Sequence, residues 1–294
     1  MHFFYGMFFG KNTPPENIPR NVAPSYETVP QQYASDKGID DITETDRQAV
    51  RSQLVHLADR VTWDVVEMSG YGSCAPQSQR EGVRGCDSSI KMALSLYHLA
   101  LDKNRLEEEC AFVDIFIAMT MLHEVAHASS FAVVGIRRED YFEDSLVAEV
   151  GFELERRIFG LLPWIEFREV NMPFDLEWGN FPSWRWHCKS YDMTKICRDE
   201  SKLPSKTTTH LIDWDFALKL FDEGFWHGEY LEKRALALIP PSIAEICLER
   251  DRSNAYKSIP RSIKDLFRTR GKSYAQREYA TWPIRDTFCE HRWL

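Results

Sequence analysis

Little in the chain announces a compartment or a partner. Its seven cysteines are odd in number and scattered, and no C-x-x-C occurs. That removes the usual signs of a disulfide framework or a zinc ribbon. Cys110 falls in an apolar stretch and reads as a reduced, buried thiol. A reducing, cytoplasmic setting follows; the alternative is a secreted chain with Cys74 bridged to Cys86. There is no basic surplus, since 36 Lys and Arg stand against 45 Asp and Glu, a net charge of −9. This argues against nucleic acid or an anionic membrane as partner. No uninterrupted apolar run reaches the roughly eighteen residues of a membrane span. The N-terminal MHFFYGMFFGK has neither the basic start nor the cleavage site of a signal peptide, and reads as a strand or hydrophobic arm packed on the body. Repeats and low-complexity tracts are also missing.

What is present suits a soluble globular protein. The 294 residues are 44% hydrophobic and 28% charged, enough for one large domain or two small ones. Residues 1–44 include Pro14, Pro15, Pro19, Pro24 and Pro30 and read as an extended arm. Thr45 or Asp46 then opens a helix whose stripe is Val50, Leu54, Leu57, Val61 and Val65, ended by Gly70. Residues 71–88 read as loop. The stretch from Ser88 begins as a strand, with Ile90, Met92 and Leu94 on one side, and an exposed edge there would hold an extended substrate.

The stretch from Leu106 to Gly135 reads as one buried helix, with Phe112, Ile115, Phe116, Met119, Leu122 and Ala126 at three- and four-residue steps. Inside it lies His123-Glu124-Val125-Ala126-His127, an H-E-x-x-H. Residues four apart stand above one another on a helix, so the two imidazoles can meet at one point. That spacing suits Zn²⁺, and Glu124 stands beside the metal, placed to take a proton from its water. Without a shared cation, two histidines and a carboxylate among Met, Leu, Val and Ala would be costly to bury.

A catalytic zinc needs a third protein ligand. The extended form with a third nearby histidine, H-E-x-x-H-x-x-G-x-x-H, is absent, because Phe131 and Gly135 do not fit it. A second helix from Asp144 to Gly160 supplies carboxylates. Asp144 or Ser145 would cap it, and Gly160 with Pro163 would stop it. Glu149 is chosen as the ligand. Glu153, one turn on, would hydrogen-bond a ligand histidine and fix its tautomer, with Glu155 the less favoured alternative. Gly151, unfavourable in mid-helix by about 1 kcal/mol against Ala, would let this helix approach the H-E-x-x-H helix closely.

Beyond Pro163 the Trp-rich residues 163–200 read as a long structured loop, a lid or substrate wall. A helix is expected from Asp213 to about Asp222, and a short one over SIAEICLER after Pro240-Pro241.

His123-Glu124-x-x-His127 with Glu149-x-x-x-Glu153 resembles the gluzincin metallopeptidases, although Glu stands where Asp is commoner in the second element. AEVGFELERRIFG, followed later by LFDEGFW, looks like an uncharacterised group of fungal zincin-like proteins. The resemblance covers about residues 90–160. It implies a predominantly helical α+β, zincin-like fold, with a small twisted sheet packed on the active-site helix and a mostly helical C-terminal half. Residues 45–250 would be the catalytic domain and 251–294 a basic extension.

The implied activity is zinc-dependent hydrolysis of metallopeptidase type. His123, His127 and Glu149 hold the metal and Glu124 acts as general base. Tyr191, His210, His227 and Tyr230 are the candidates for a donor to the oxyanion. Two other readings stay open, an enzyme of the same scaffold acting on a small molecule and a non-catalytic zinc-binding protein.

Overall fold

The computed structural model describes residues 1–13, 32–68, 70–77, 85–102, 107–136, 140–160, 162–166, 175–179, 206–212, 214–238, 242–250 and 256–259. They form an α+β structure organised around one long helix. The elements in chain order are α1 (His2–Phe9), β1 (Lys11–Thr13), β2 (Gln32–Ala34), α2 (Glu44–Ala58), β3 (Val61–Val66), β4 (Gly72–Pro76), β5 (Ser88–Ala93) and α3 (Leu94–Leu101). Then come α4 (Glu107–Val134), β6 (Tyr141–Phe142), α5 (Val150–Phe159), β7 (Leu162–Glu166), β8 (Asp175–Gly179), β9 (Lys206–Ile212), α6 (Trp214–Lys219), α7 (Glu223–His227), α8 (Glu229–Lys233), β10 (Ser242–Arg250) and β11 (Tyr256–Ile259).

Helix α4 runs between two apolar clusters. On one side Phe112, Phe116 and Met119 pack with Leu96, Phe216 and Phe225. On the other, Ala126 joins Phe3 and Met7 of α1, Val50 of α2, and Val150 and Leu154 of α5. A helix covered on several sides is apolar all round. Each fully buried Phe or Leu contributes about 1.5–3 kcal/mol of transfer free energy. By length and composition Glu109–Val134 is also apolar enough to cross a membrane. The packing of α1, α2, α3, α5 and α6 around it supplies another use for that apolarity.

The described residues include three sheets. β1, β2 and β6 form the first, with β2 and β6 parallel. β5 is the centre of the second, parallel to β3 and antiparallel to β4. The third is antiparallel, in the order β11-β10-β9-β8-β7. Among the described residues the C-terminal half therefore carries a five-stranded sheet as well as short helices, where a mostly helical half was expected.

Several expectations from sequence are corrected. The helix anticipated from Thr45 or Asp46 to Gly70 is two elements. Thr43 caps α2, its side chain accepting from the Asp46 N–H, and Ala58 ends it; Val61–Val66, rich in β-branched residues and tryptophan, is strand. The N-terminal segment is a helix, and it does pack on the body through Phe3, Phe4, Tyr5 and Met7. Residues 72–76, expected as loop, are the edge strand β4. SIAEICLER is strand β10, paired antiparallel with β9 on one side and β11 on the other. Cys74 and Cys86 are not bridged to each other. Residues 260–294, the greater part of the basic extension, and most of the Trp-rich loop lie outside the described residues.

Candidate metal centre

The second helix begins at Val150, later than expected. Ser145 is occupied in a turn, its N–H donating to Phe142 O and its hydroxyl to Val147 O. Glu149 itself is the N-cap, with extended backbone at φ −150° and ψ 98°. Its Oε2 accepts the Phe152 N–H at 2.5 Å, satisfying a donor at the helix start and placing negative charge at the positive end of the dipole. Gly160, left-handed at φ 76°, ends the helix as expected.

The other oxygen, Oε1, is turned toward α4. It lies 3.3 Å from Nε2 of His123 and 3.0 Å from Nε2 of His127. All three donor atoms lie within 4.8 Å of one another. Tetrahedral coordination at 2.0–2.1 Å places neighbouring ligand atoms about 3.3 Å apart. Two imidazoles and one carboxylate at these separations fit a divalent cation. All three side chains are largely buried.

Gly151 explains how the helices come so close. A Cβ at this position would lie 2.5 Å from Nε2 of His123 and 2.6 Å from two carbons of the same ring. The ring fills the space any other residue would need. The expectation of a close approach at Gly151 is thus met, with the imidazole as its reason.

The carboxylate beside His123 is Glu155, not Glu153. Glu155 Oε1 lies 2.9 Å from Nδ1 of His123. Glu153 faces the other way, accepting from Arg156 Nη2 and Arg157 Nε at 2.6 Å each. The register explains the difference. Glu149 is not helical, so counting one turn on from it misplaces the face. Counting from Gly151, which lies under the ring, leads to Glu155. The sequence signal was there in the four-residue spacing of Gly151 and Glu155.

Charge at the site follows from these contacts. Burial opposes protonation of His123, but Glu149 and Glu155 outweigh it and raise its pKa to about 10 in the metal-free chain. Burial would raise the Glu149 pKa, yet His123 and His127 hold it well below the usual carboxylate range. For Glu155 burial prevails, and its pKa is raised.

Glu124 is buried one residue after the first histidine. A Cβ on Gly72 of β4 would come within 2.7 Å of Glu124 Oε1 and of Thr120 Cγ2. The carboxylate therefore rests against the edge strand, and neither Gly72 nor that strand was singled out in the sequence. The edge next to the site is β4; β5 is paired on both sides.

Of the four candidate oxyanion donors, His227 and Tyr230 have described side chains, and their contacts are with α7 and its neighbours. His227 on α7 is three-quarters exposed and stands 3.6 Å from Glu223. Tyr230 on α8 packs on Trp226, ring centroids 5.1 Å apart. His210 lies on β9, and Tyr191 lies outside the described residues. Phe152, unremarked in the sequence, stands edge-on to His123 with centroids 4.8 Å apart.

No protein-family model matches the chain, and no curated protein or solved structure matches it. What is established is a His123/His127/Glu149 group able to hold a metal ion, joining α4 to the start of α5.

Proposed function

We propose that this chain is a zinc-dependent hydrolase of metallopeptidase type. The observation that carries the proposal is the convergence of the His123, His127 and Glu149 donor atoms at separations of 3.0 and 3.3 Å on Glu149 Oε1, with Glu124 as an adjacent buried carboxylate. His123, His127 and Glu149 would hold a zinc ion, which would supply Lewis acidity and make water a stronger acid. Glu124 takes a proton at its carboxylate as the nucleophile adds to a carbonyl, and returns it to the leaving group. Glu155 accepts a hydrogen bond from Nδ1–H of His123, which leaves Nε2 with its lone pair free for the metal.

A peptide substrate is supported by the edge strand. β4 has β5 as its partner among the described residues, so its outer backbone groups are placed to pair with an extended chain. Such a chain would pass Gly72, where Glu124 rests.

The test is metal analysis followed by hydrolysis of a quenched peptide library, with a chelator control. Wild type is expected to carry about one equivalent of zinc and Glu149→Ala to lose it. Glu124→Gln should retain the metal while turnover falls a hundredfold or more, on the order expected for a general base. Bound zinc without any peptide turnover would favour the small-molecule or non-catalytic reading.

A further inference from the structure

Between β6 and α5 the chain makes the turn that delivers Glu149. Glu143 opens it in the left-handed region at φ 48°, a conformation that a non-glycine residue adopts only when its surroundings hold it there. Arg157, from the last turn of α5, reaches back to this point. Its Nη2 lies 2.9 Å from Glu143 Oε2 and 3.7 Å from Asp144 Oδ1. Its Nε donates to Glu153 Oε1 at 2.6 Å, and its guanidinium lies 4.5 Å from the centre of the Phe142 ring. One side chain thus grips both the entry to the turn and the helix that follows.

We infer that Arg157 is a positioning residue for the metal ligand Glu149. The inference rests on the zinc reading above. Glu149 is the N-cap, so its Oε1 is aimed by how the 143–149 turn meets α5. Arg157 spans that junction from both sides. Coordination distances are met within about 0.2 Å, so loosening the junction weakens binding without touching a ligand. Arg156 is the natural comparison, because it shares Glu153, while the 2.9 Å contact to Glu143 is made by Arg157.

The experiment measures the zinc Kd of the full-length chain by competition with a chromophoric chelator. Arg157→Ala is expected to raise Kd about tenfold or more, within the range for groups that orient metal ligands. Arg157→Lys should recover part of the loss, and Arg156→Ala should stay within about twofold of wild type. Glu143→Gln, which removes the far end of the grip at a partly exposed side chain, should weaken binding in the same direction and decides alone if Arg157→Ala does not fold. Unchanged affinity in Arg157→Ala, or in Glu143→Gln where that variant decides, overturns the inference while leaving the metal site standing. Equal losses in Arg156→Ala and Arg157→Ala also overturn it, since the effect would then be general destabilisation. A wild-type chain that binds no zinc removes the metal reading itself, and the inference with it.

Discussion

Glu155 Oε1 lies 2.9 Å from Nδ1 of His123, so a buried carboxylate backs the imidazole on the side away from Glu149. Replacing Glu155 by Gln keeps an acceptor but removes the charge, and should weaken zinc binding about tenfold; Ala should weaken it further. Competition with a chelator reads both. Glu153→Gln should lower the unfolding midpoint, because Arg156 and Arg157 lose the charge of the carboxylate they share, with a smaller change in zinc affinity.

Two glycine substitutions should separate the metal from the base. In an ordinary helix Gly→Ala stabilises by about 1 kcal/mol. Gly151→Ala should do the reverse and lose zinc, since the methyl would meet the His123 ring at 2.5 Å. Gly72→Ala would press on Glu124 and Thr120 instead. It should therefore retain zinc and lose turnover. Metal content and peptide hydrolysis measured side by side check the pair.

Metal loading should be strongly pH-dependent. In the metal-free chain His123 carries its proton up to about pH 10, because Glu149 and Glu155 outweigh the cost of burial. Zinc must displace that proton, so apparent affinity rises with pH, and binding releases protons to buffer. Metal-free stability should move the other way. A histidine whose folded pKa is raised contributes fully below its unfolded value of about 6.5, and that contribution is lost as pH rises through about 10. Calorimetric titration in buffers of different ionisation enthalpy, with melts across this range, tests both signs.

The C-terminal end of α4 gives a stability prediction. The Cys86 N–H donates to Phe131 O at 3.0 Å, and Arg60 Nη1 to Ala132 O at 3.4 Å. Gly85 sits between them at φ 71°, and a Cβ there would lie 2.0 Å from Ala132 O. Gly85→Ala should cost more than about 1 kcal/mol, read from denaturant unfolding of the metal-free protein.

The metal group was legible because its signals are local. H-E-x-x-H fixes two imidazoles by helix geometry alone, and Gly151 marks a contact that no side chain could permit. Glu155 was harder to see because the helix start was misjudged, and the face of every later residue depends on that start. The split between α2 and β3 was hidden by valines at Val61 and Val65, which continue the helical stripe while also favouring strand. β4 gave no hydrophobic pattern to read, since Gly72, Ser73 and Pro76 owe their strand to pairing with β5. The antiparallel sheet of the second half rests on pairings distant in sequence, such as Cys247 with Thr208. No short window encodes them.

The central position of α4 bears on handling as well as chemistry. Its neighbours jointly shield an apolar rod of 26 residues, Glu109–Val134. If any of them swings away on heating, that rod becomes adhesive, and chains should clump before they can refold. Recovery after a melt should therefore improve with dilution.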